Sequence, residues 1–295
     1  MLYALGSLTG SVLARMVCMT EDRVRVVANS VPKSGTHLLS GLLTLLGLQQ
    51  TDFGGIRSHL VSGPFSPIKR LLRTRGQKKV TIGVVSPQQI SRRWLSRRLS
   101  RVPDGCFITA HCVYTPELAE LFREEKMRVA CILRDPRDVA VSQMHHIKQR
   151  TQHFAHEAFV ALPSDHERLL VSIRGGELGG RKLLSLDERY RQFLGWGRDP
   201  NALMVKFEEL VGPEGGGSAK AQRRTVERVA AHMDLKTDEG TMRLVEEELF
   251  GVGRTFRRGQ SGGWRLEFTE EHVRVTKEVA GPLLVELGYE TGPDW

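Results

Sequence analysis

Apolar and polar residues follow one another along this chain in short blocks that predict strands and helices in turn. The first block is a β-branched run that begins at Val24 and ends at Asn29 and Ser30. A short loop follows, and after it comes a leucine-rich segment with helical spacing that stops at Gly47. Residues 24–47 are therefore predicted to form a strand, a tight loop and a helix.

Three more apolar runs predict strands, at 105–110, 127–133 and 202–207. The run 127–133 shows no alternation, which is typical of a parallel strand covered on both faces. Residues 213–218 are rich in glycine and predict a flexible loop. Helical patterns lie at about 38–46, 115–126, 139–148, 186–196, 219–233, 238–250 and 269–287. Because strands alternate with helices, we predict an α/β fold, a single domain over 1–295 with a central parallel sheet flanked by helices.

Composition is that of a soluble globular protein, with 40% hydrophobic and 26% charged residues. The four cysteines form no CxxC pair and no metal-ligand spacing, so a reduced cytoplasmic protein without a metal site is the economical interpretation. Residues 1–20 form an apolar N-terminal extension, but Gly6, Gly10 and Arg15 interrupt it, and it is too short to span a membrane. We expect it to pack on the domain, and a peripheral membrane contact stays open.

The net charge of +9 is concentrated in one stretch of the chain. Residues 69–101 contain eleven Lys or Arg and no Asp or Glu, and the rest of the chain is close to neutral. A local basic surface of this kind favours an anionic partner. It is equally typical of a solvated face of basic helices, so both interpretations stay open.

The loop after the first predicted strand has the composition of a phosphate-binding site. Lys33, Ser34, Gly35 and Thr36 bring an ammonium, two hydroxyls and a glycine to a helix N-terminus. Unpaired amides and the helix dipole favour an anion at such a place. The loop is not a Walker A motif, because its lysine precedes the only glycine.

Three other segments carry groups that suit anion binding or proton transfer. Arg134 follows the third predicted strand and can clamp an anion, and Ser142 lies eight residues further, two turns into the next helix. Residues 254–265 combine arginines and glycines, as expected of a segment that closes over an anion. His111 follows the second strand; a lone histidine is more often structural, but an imidazole can accept a hydroxyl proton near neutral pH. Because parallel strands end at one edge, we expect Lys33, His111 and Arg134 to lie together there.

These motifs resemble, in order, those of the sulfotransferases that use 3'-phosphoadenosine 5'-phosphosulfate (PAPS). The resemblance consists of Lys-Ser-Gly-Thr after a strand and a proline, an arginine with a serine eight residues on, and a basic pair before glycine and tryptophan. It covers 29–142 and 254–269 and implies a P-loop-kinase-like sulfotransferase architecture. It also implies that 51–104 and 143–198 are insertions on the acceptor side, which we interpret as loops with short helices and as a variable helical segment.

The same resemblance implies a role for each matching residue. Lys33 would stabilise the leaving phosphate, and His111 would act as the general base. The residues implied to bind the 5'-phosphate are Lys33, Ser34, Gly35, Thr36 and His37. The residues implied to hold the 3'-phosphate are Arg134, Ser142, Arg257, Arg258 and Gly259, and Phe207 would pack on the adenine. No metal is required, because a sulfuryl group carries less charge than a phosphoryl group.

The chain departs from the family pattern at five positions. Arg258 stands where lysine is usual, and Gly263 where aspartate is usual, so the anchoring of the last segment is expected to be looser. Thr109 stands where members of the family often have a lysine that assists the transferred group. Leu38 and Phe207 replace an aromatic residue and a tyrosine near the adenine, and Phe207 has no hydroxyl to donate.

The sequence therefore predicts transfer of a sulfuryl group from PAPS to a hydroxyl or amine of an unidentified acceptor. The basic stretch 69–101 favours an anionic or membrane-associated acceptor, and no nucleic acid is expected as a partner. Two alternatives belong to other classes. One is a P-loop-like nucleotide kinase, and the other is a non-enzymatic binder of nucleic acid or acidic lipid that works through 69–101.

Overall fold

The computed structural model describes residues 24–51, 78–85, 87–250, 259–292 and 294–295. The strands are β1 (Arg25–Ser30), β2 (Gln49–Gln50), β3 (Lys79–Ile82), β4 (Gln88–Ser91), β5 (Cys106–Ala110), β6 (Met127–Leu133), β7 (Gly176–Leu178), β8 (Arg181–Leu183) and β9 (Ala202–Lys206). The helices are α1 (Thr36–Leu45), α2 (Arg92–Leu99), α3 (Pro116–Glu124), α4 (Pro136–Gln149), α5 (His156–Val160), α6 (Asp165–Arg174), α7 (Leu186–Arg191), α8 (Phe207–Leu210), α9 (Ala219–His232), α10 (Glu239–Glu248) and α11 (Glu270–Glu286). Short 3₁₀ turns span Leu194–Arg198, Pro213–Gly215 and Gly263–Leu266.

Five parallel strands form the central sheet, in the order β2-β5-β1-β6-β9. This arrangement confirms the α/β fold and the parallel sheet that the apolar runs predict. β1 lies in the middle and pairs with β5 on one side and with β6 on the other. The carboxyl ends of β5, β1, β6 and β9 are therefore neighbours along one edge of the sheet.

Helices cover both faces of this sheet, which explains why β5 and β6 consist mostly of apolar residues. Val27 of β1 belongs to a core that contains Val139 of α4 and Leu283 of α11. Val26, the neighbouring residue, points to the other face and belongs to a second core with Leu42 of α1. The alternation of side chains along β1 thus feeds two hydrophobic layers.

Several helices begin at the residues that the sequence marks as caps. The Thr115 hydroxyl accepts a hydrogen bond from the Leu118 amide at 3.2 Å, and Pro116 occupies the first turn. Thr269 forms a capping box with His272 at the start of α11, which confirms the predicted cap. At these two helices the local signals were sufficient to place the start.

Two features differ from the sequence-based expectations. Two antiparallel hairpins, β3-β4 and β7-β8, lie in segments that we expected to be loops and helices, because their strands have only three or four residues and no apolar run. Residues 213–218, expected to be flexible, include a 3₁₀ turn with a buried glycine. Residues 1–20 and most of 51–77 lie outside the described residues. Among the residues described, no helix has the length and apolar character needed to cross a bilayer.

Acidification should destabilise this fold through histidines that the folded state holds neutral. Burial, with the charge of Lys33 as a second cause, lowers the pKa of His146 to about 4. Burial also lowers the pKa of His153, His232 and His272. Because the unfolded chain binds more protons than the folded one below pH about 6.5, stability present above that pH is lost towards pH 4. We expect the midpoint of urea unfolding to be lower at pH 5 than at pH 7.

The variant His146→Gln separates this effect from that of the carboxyl groups. Burial raises the pKa of Asp138 and Glu208, and this acts in the opposite direction as the pH falls. The native protein and the variant both contain these carboxyls, so the difference in their stability between pH 7 and pH 5 reports His146 alone. An identical loss of stability between pH 7 and pH 5 in both proteins would contradict the assignment.

Candidate active site

The predicted site residues lie side by side at the carboxyl edge of the sheet. His111 follows β5, the loop with Lys33 follows β1, Arg134 follows β6 and Phe207 follows β9. Since β5, β1, β6 and β9 are consecutive in the sheet, these groups form a row. The expectation that Lys33, His111 and Arg134 share one edge is confirmed.

The Lys33 loop makes two left-handed turns that deliver the chain into α1. Lys33 has φ 76° and Gly35 has φ 112°, and left-handed non-glycine residues are concentrated at functional sites. Gly35 is the N-cap of α1, and no side chain caps the helix. An α-helix leaves the amides of its first turn without intrahelical partners, so this end of α1 suits an anion.

Ser34 has a structural position in the loop. Its amide donates to the Val31 carbonyl at 3.1 Å, and its buried hydroxyl lies 2.7 Å from that carbonyl and 2.9 Å from the carbonyl of Ile132. The Ser34 hydroxyl thus ties the loop to the end of β6. The role of Ser34 at the 5'-phosphate, which the resemblance implies, stays a prediction.

Phe207 forms a floor under the loop. A Cβ atom at Gly35 would lie 2.8 Å from Phe207 Cδ2 and 3.1 Å from Ile132 Cδ1, so only glycine fits above the ring. The Arg134 guanidinium carbon lies 4.4 Å from the centre of the same ring. Phe207 is buried and supports Gly35 and Arg134, and its packing on an adenine stays a prediction.

The hydrogen bonds of His111 determine which ring nitrogen carries the proton. His111 Nδ1 lies 2.9 Å from the Ser30 carbonyl oxygen and 3.1 Å from the Ser30 hydroxyl. A carbonyl only accepts, so Nδ1 is the protonated nitrogen in the neutral ring and Nε2 has the lone pair. The imidazole is therefore oriented with its basic atom away from β1.

Asn29 and Ser30 were missed as site residues by the sequence reasoning. The Asn29 side chain accepts from the Cys112 amide at 2.9 Å and donates to the Cys112 carbonyl at 3.1 Å, which fixes the chain just after His111. The Ser30 hydroxyl lies 2.6 Å from that of Thr36. A polar pair at the end of a buried strand was the signal that could have indicated this role.

The Arg134 guanidinium contacts three groups and has one N–H donor without a hydrogen-bond partner in the described part of the chain. Its Nη2 donates to the Gln260 carbonyl at 2.7 Å and to Asp138 Oδ2 at 3.3 Å, and its plane lies over Phe207. Its Nε is buried and has no hydrogen-bond partner in the described part of the chain. A charged group with a spare buried donor suits an anionic ligand.

Asp138 anchors the segment that follows Gly259. Its two carboxylate oxygens accept the amides of Gly262 at 2.9 Å and Trp264 at 2.8 Å. A carboxylate from α4 therefore contacts the segment on both sides of Gly263, and the looser anchoring expected from Gly263 stays a prediction. Burial raises the pKa of Asp138, and the charge of Arg134 and the two amides counteract this effect.

The same segment also bonds to the 3₁₀ turn at Pro213–Gly215. The Ser261 amide donates to the Gly215 carbonyl at 2.9 Å, and the Gln260 side chain donates to the Glu214 carbonyl at 2.8 Å. Gly259 has φ 60°, a left-handed conformation that favours glycine. Arg257 and Arg258 lie outside the described residues.

The remaining predicted residues occupy the surroundings of this row. Ser142 is half-buried on α4, and His146 lies one turn further on the same helix. The charge of Lys33 helps to lower the pKa of His146, so this end of α4 approaches the Lys33 loop. His37 is exposed in the first turn of α1, and Thr109 is buried in β5. No cluster of His, Cys, Asp or Glu arranged for a metal ion occurs among the described residues.

Comparison with known proteins identifies the class. The family model "Sulfotransferase domain" matches residues 23–247 of this chain. No curated protein sequence matches the chain significantly. Three solved structures share the fold at TM-scores of 0.56, 0.55 and 0.53, with 17%, 18% and 18% identity.

The first of these is mouse sulfotransferase SULT7A1 complexed with PAP; the match covers 88% of this chain and 84% of that one. The other two are retinol dehydratase with androsterone and inactive cofactor PAP, and retinol dehydratase with retinol and PAP, each over 90% of this chain and 82% of that one. At these identities the structures show a common fold. Since the family model covers most of the chain, the protein belongs to the sulfotransferase domain family and is a sulfotransferase.

Proposed function

We propose that the protein transfers a sulfuryl group from PAPS to a hydroxyl or amine at the carboxyl edge of its sheet. The observation that carries this proposal is the row of His111, the Lys33 loop and Arg134 on three adjacent strands. The similar structures contain PAP, the product that PAPS leaves after transfer, and this supports PAPS as the donor. A base, a cation and an anion clamp are the groups that this reaction needs.

His111 and Lys33 would act at the two ends of the transfer. The acceptor oxygen attacks sulfur while His111 Nε2 takes its proton, and the bond from sulfur to the bridging oxygen breaks. The electron pair of that bond stays on the bridging oxygen, which becomes part of the 5'-phosphate of PAP. The Lys33 ammonium stabilises the charge that develops there.

The two phosphate sites would lie on either side of the Phe207 floor. The amides of Gly35, Thr36 and His37 would bind the 5'-phosphate, with the Ser34 hydroxyl supporting the loop from below. Arg134, whose side chain is 13% exposed, would bind the 3'-phosphate through its guanidinium group. The other residues implied for the 3'-phosphate remain Ser142, Arg257, Arg258 and Gly259.

Selective binding of PAP tests this proposal. The native protein should be stabilised by PAP and not by 5'-ADP or ATP, and a ligand at one hundred times its dissociation constant should add about 2.7 kcal/mol. Arg134→Ala should weaken PAP binding by roughly 10- to 100-fold, as expected for lost hydrogen bonds to a charged group. Thermal unfolding with each nucleotide, followed by calorimetric titration, measures both effects.

Arg128→Ala is the matched control, because Arg128 lies in the same strand-helix unit but pairs with Asp234 at 2.6 Å, away from the site. It should bind PAP as the native protein does. A preference for ATP in the presence of magnesium would instead favour the nucleotide-kinase alternative. Absence of PAP stabilisation in a folded protein would reject the sulfotransferase donor site.

We infer a small hydroxylated or amine acceptor, and the basic stretch favours one that is anionic or presented at an anionic membrane. Two of the similar structures contain androsterone or retinol, which supports a small molecule. Within the basic stretch, Arg92 is paired with Glu124 at 2.7 Å, whereas Arg93, Arg97 and Arg101 are exposed at intervals of four residues along α2 and just beyond it. This exposed side of α2 would face the anion.

Replacing Arg93, Arg97 and Arg101 with glutamine should weaken binding to vesicles that contain phosphatidylserine. At about 1 kcal/mol per basic residue, the loss should be roughly 100-fold at low salt. A sedimentation assay measures it. The control removes three exposed basic residues from the other side of the molecule, Lys220, Arg224 and Arg243. Equal losses in both variants, or none, would contradict the proposal, and strong binding of duplex DNA would favour a nucleic-acid partner.

The cysteines support the inference of a reduced cytoplasmic protein. Cys112 and Cys131 are buried, and neither forms a disulfide within the described residues. Burial raises the pKa of Cys112 to about 12, and a buried thiol of this kind is inert.

A further inference from the structure

Side chains hold the peptide group between Arg134 and Asp135 on both sides. Its carbonyl accepts from the Tyr190 hydroxyl at 2.6 Å, and its amide donates to Glu208 Oε1 at 2.8 Å. This peptide carries the chain from β6 into α4. The two bonds therefore fix the direction in which the Arg134 side chain leaves the backbone.

The chain after α11 holds this arrangement through Glu208. The Tyr289 hydroxyl donates to Glu208 Oε2 at 2.9 Å, so each oxygen of Glu208 has its own donor. The Lys206 ammonium lies 4.7 Å from the centre of the Tyr289 ring and keeps the phenol in place. Tyr289 thus connects the end of the chain to the peptide that carries Arg134.

A second and a third connection pass through Arg137, whose side chain is 2% exposed. Its Nε and Nη2 donate to the Asp135 carboxylate at 2.9 and 2.7 Å, and its Nη1 donates to Glu290. The guanidinium carbon lies 4.2 Å from the Trp264 ring and 4.6 Å from the Trp295 ring. A buried cation is thus enclosed by two carboxylates and two indoles.

Tyr289, Glu290 and Trp295 are here called the strap residues. Tyr289 acts through Glu208 on the Arg134–Asp135 peptide, and Glu290 and Trp295 contact Arg137, which bonds the Asp135 carboxylate. Arg137 and Trp295 also contact Trp264, which lies in the segment that Asp138 and Arg134 hold through backbone groups. The strap residues reach the site through Glu208, Arg137 and Trp264. We therefore expect their effect on the Arg134 side of the site.

We propose that the strap residues are positioning residues for the 3'-phosphate: they hold Arg134 and the Trp264 segment in the geometry that receives it. This inference rests on the proposed function, because it assumes that Arg134 binds that phosphate. A binding group that is already fixed loses less conformational freedom when its ligand arrives. Loss of a strap residue should then cost affinity for the 3'-phosphate and leave the rest of the nucleotide unaffected.

The test compares PAP with 5'-AMP, which lacks the 3'-phosphate, by calorimetric titration. Trp295→Ala should raise the dissociation constant of PAP roughly 10-fold, or about 1.4 kcal/mol, and leave that of 5'-AMP unchanged. Trp295→Phe keeps an aromatic face for Arg137 and should restore most of the affinity. In steady-state assays, KM for PAPS should rise while kcat at saturating donor stays the same.

Trp94→Ala is the matched control, since Trp94 also contacts an arginine, Arg98, at 5.5 Å, but on α2. If Trp295→Ala does not fold, Tyr289→Phe, which lacks a single hydroxyl, is used for the same comparison of PAP and 5'-AMP affinity. Equal losses for PAP and 5'-AMP, or no loss in either variant, would overturn the positioning role. If the native protein does not prefer PAP to 5'-AMP, the proposed donor site fails as well; a native preference that the variants retain overturns the strap proposal alone.

Discussion

Replacing His111 with asparagine should lower kcat by roughly two to four orders of magnitude, the usual contribution of a general base. The asparagine amide occupies nearly the same place as Nδ1 and can still donate to the Ser30 carbonyl, which lies 2.9 Å from Nδ1 in the native protein. The change therefore removes the lone pair at Nε2 and keeps the bond that orients the ring. PAP binding should not change, because His111 acts on the acceptor side of sulfur.

Single-turnover rates with preloaded PAPS measure this effect without product release. His232→Asn is the control, because His232 also bonds a backbone carbonyl, that of Val129 at 3.2 Å, but lies on α9. It should keep native kcat. A His111→Asn protein with native kcat would exclude His111 as the base, and a protein that also lost PAP binding would indicate a structural role.

The order of motifs along the chain was enough to predict the edge of the sheet where the site lies. Each of His111, Lys33 and Arg134 follows a run of apolar residues, and buried parallel strands end at a common edge. This prediction needed only local patterns, since a run such as 127–133 forms a strand wherever it is covered on both faces.

The sequence did not predict the contacts that join distant segments. Asp138 accepts hydrogen bonds from the amides of Gly262 and Trp264, more than one hundred residues away. Every residue except proline has a backbone amide, so the sequence does not indicate which amides a carboxylate binds. The bonds of Ser34 to backbone carbonyls were also not predicted, because a hydroxyl can bond a ligand or a carbonyl equally well. Only the proximity of the Ile132 carbonyl, at 2.9 Å, shows that its hydroxyl supports the loop.

Replacing Lys33 with methionine should lower kcat by roughly 100- to 1,000-fold, which is the usual effect of losing one group that stabilises developing charge. Methionine keeps the length and flexibility of the side chain but removes the ammonium. The ground-state affinity for PAP should fall much less than kcat, because the bridging oxygen gains its charge only as the sulfur–oxygen bond breaks. Rapid-quench measurement of sulfuryl transfer, with PAP titration alongside, separates the two effects.

Lys126→Met controls for both the lost charge and the backbone. Lys126 is also a lysine in the left-handed region, with φ 51° against 76° for Lys33, but it lies in the turn between α3 and β6. Any cost of placing methionine at positive φ is thus common to both variants, and only Lys33→Met should lose activity. The pKa of His146 reports the position of the Lys33 ammonium independently of activity, because Lys33 helps to lower that pKa to about 4. In an NMR titration, the pKa of His146 should rise in Lys33→Met and stay unchanged in Lys126→Met. If Lys33→Met is slow but the pKa of its His146 is unchanged, the lysine acts from another position.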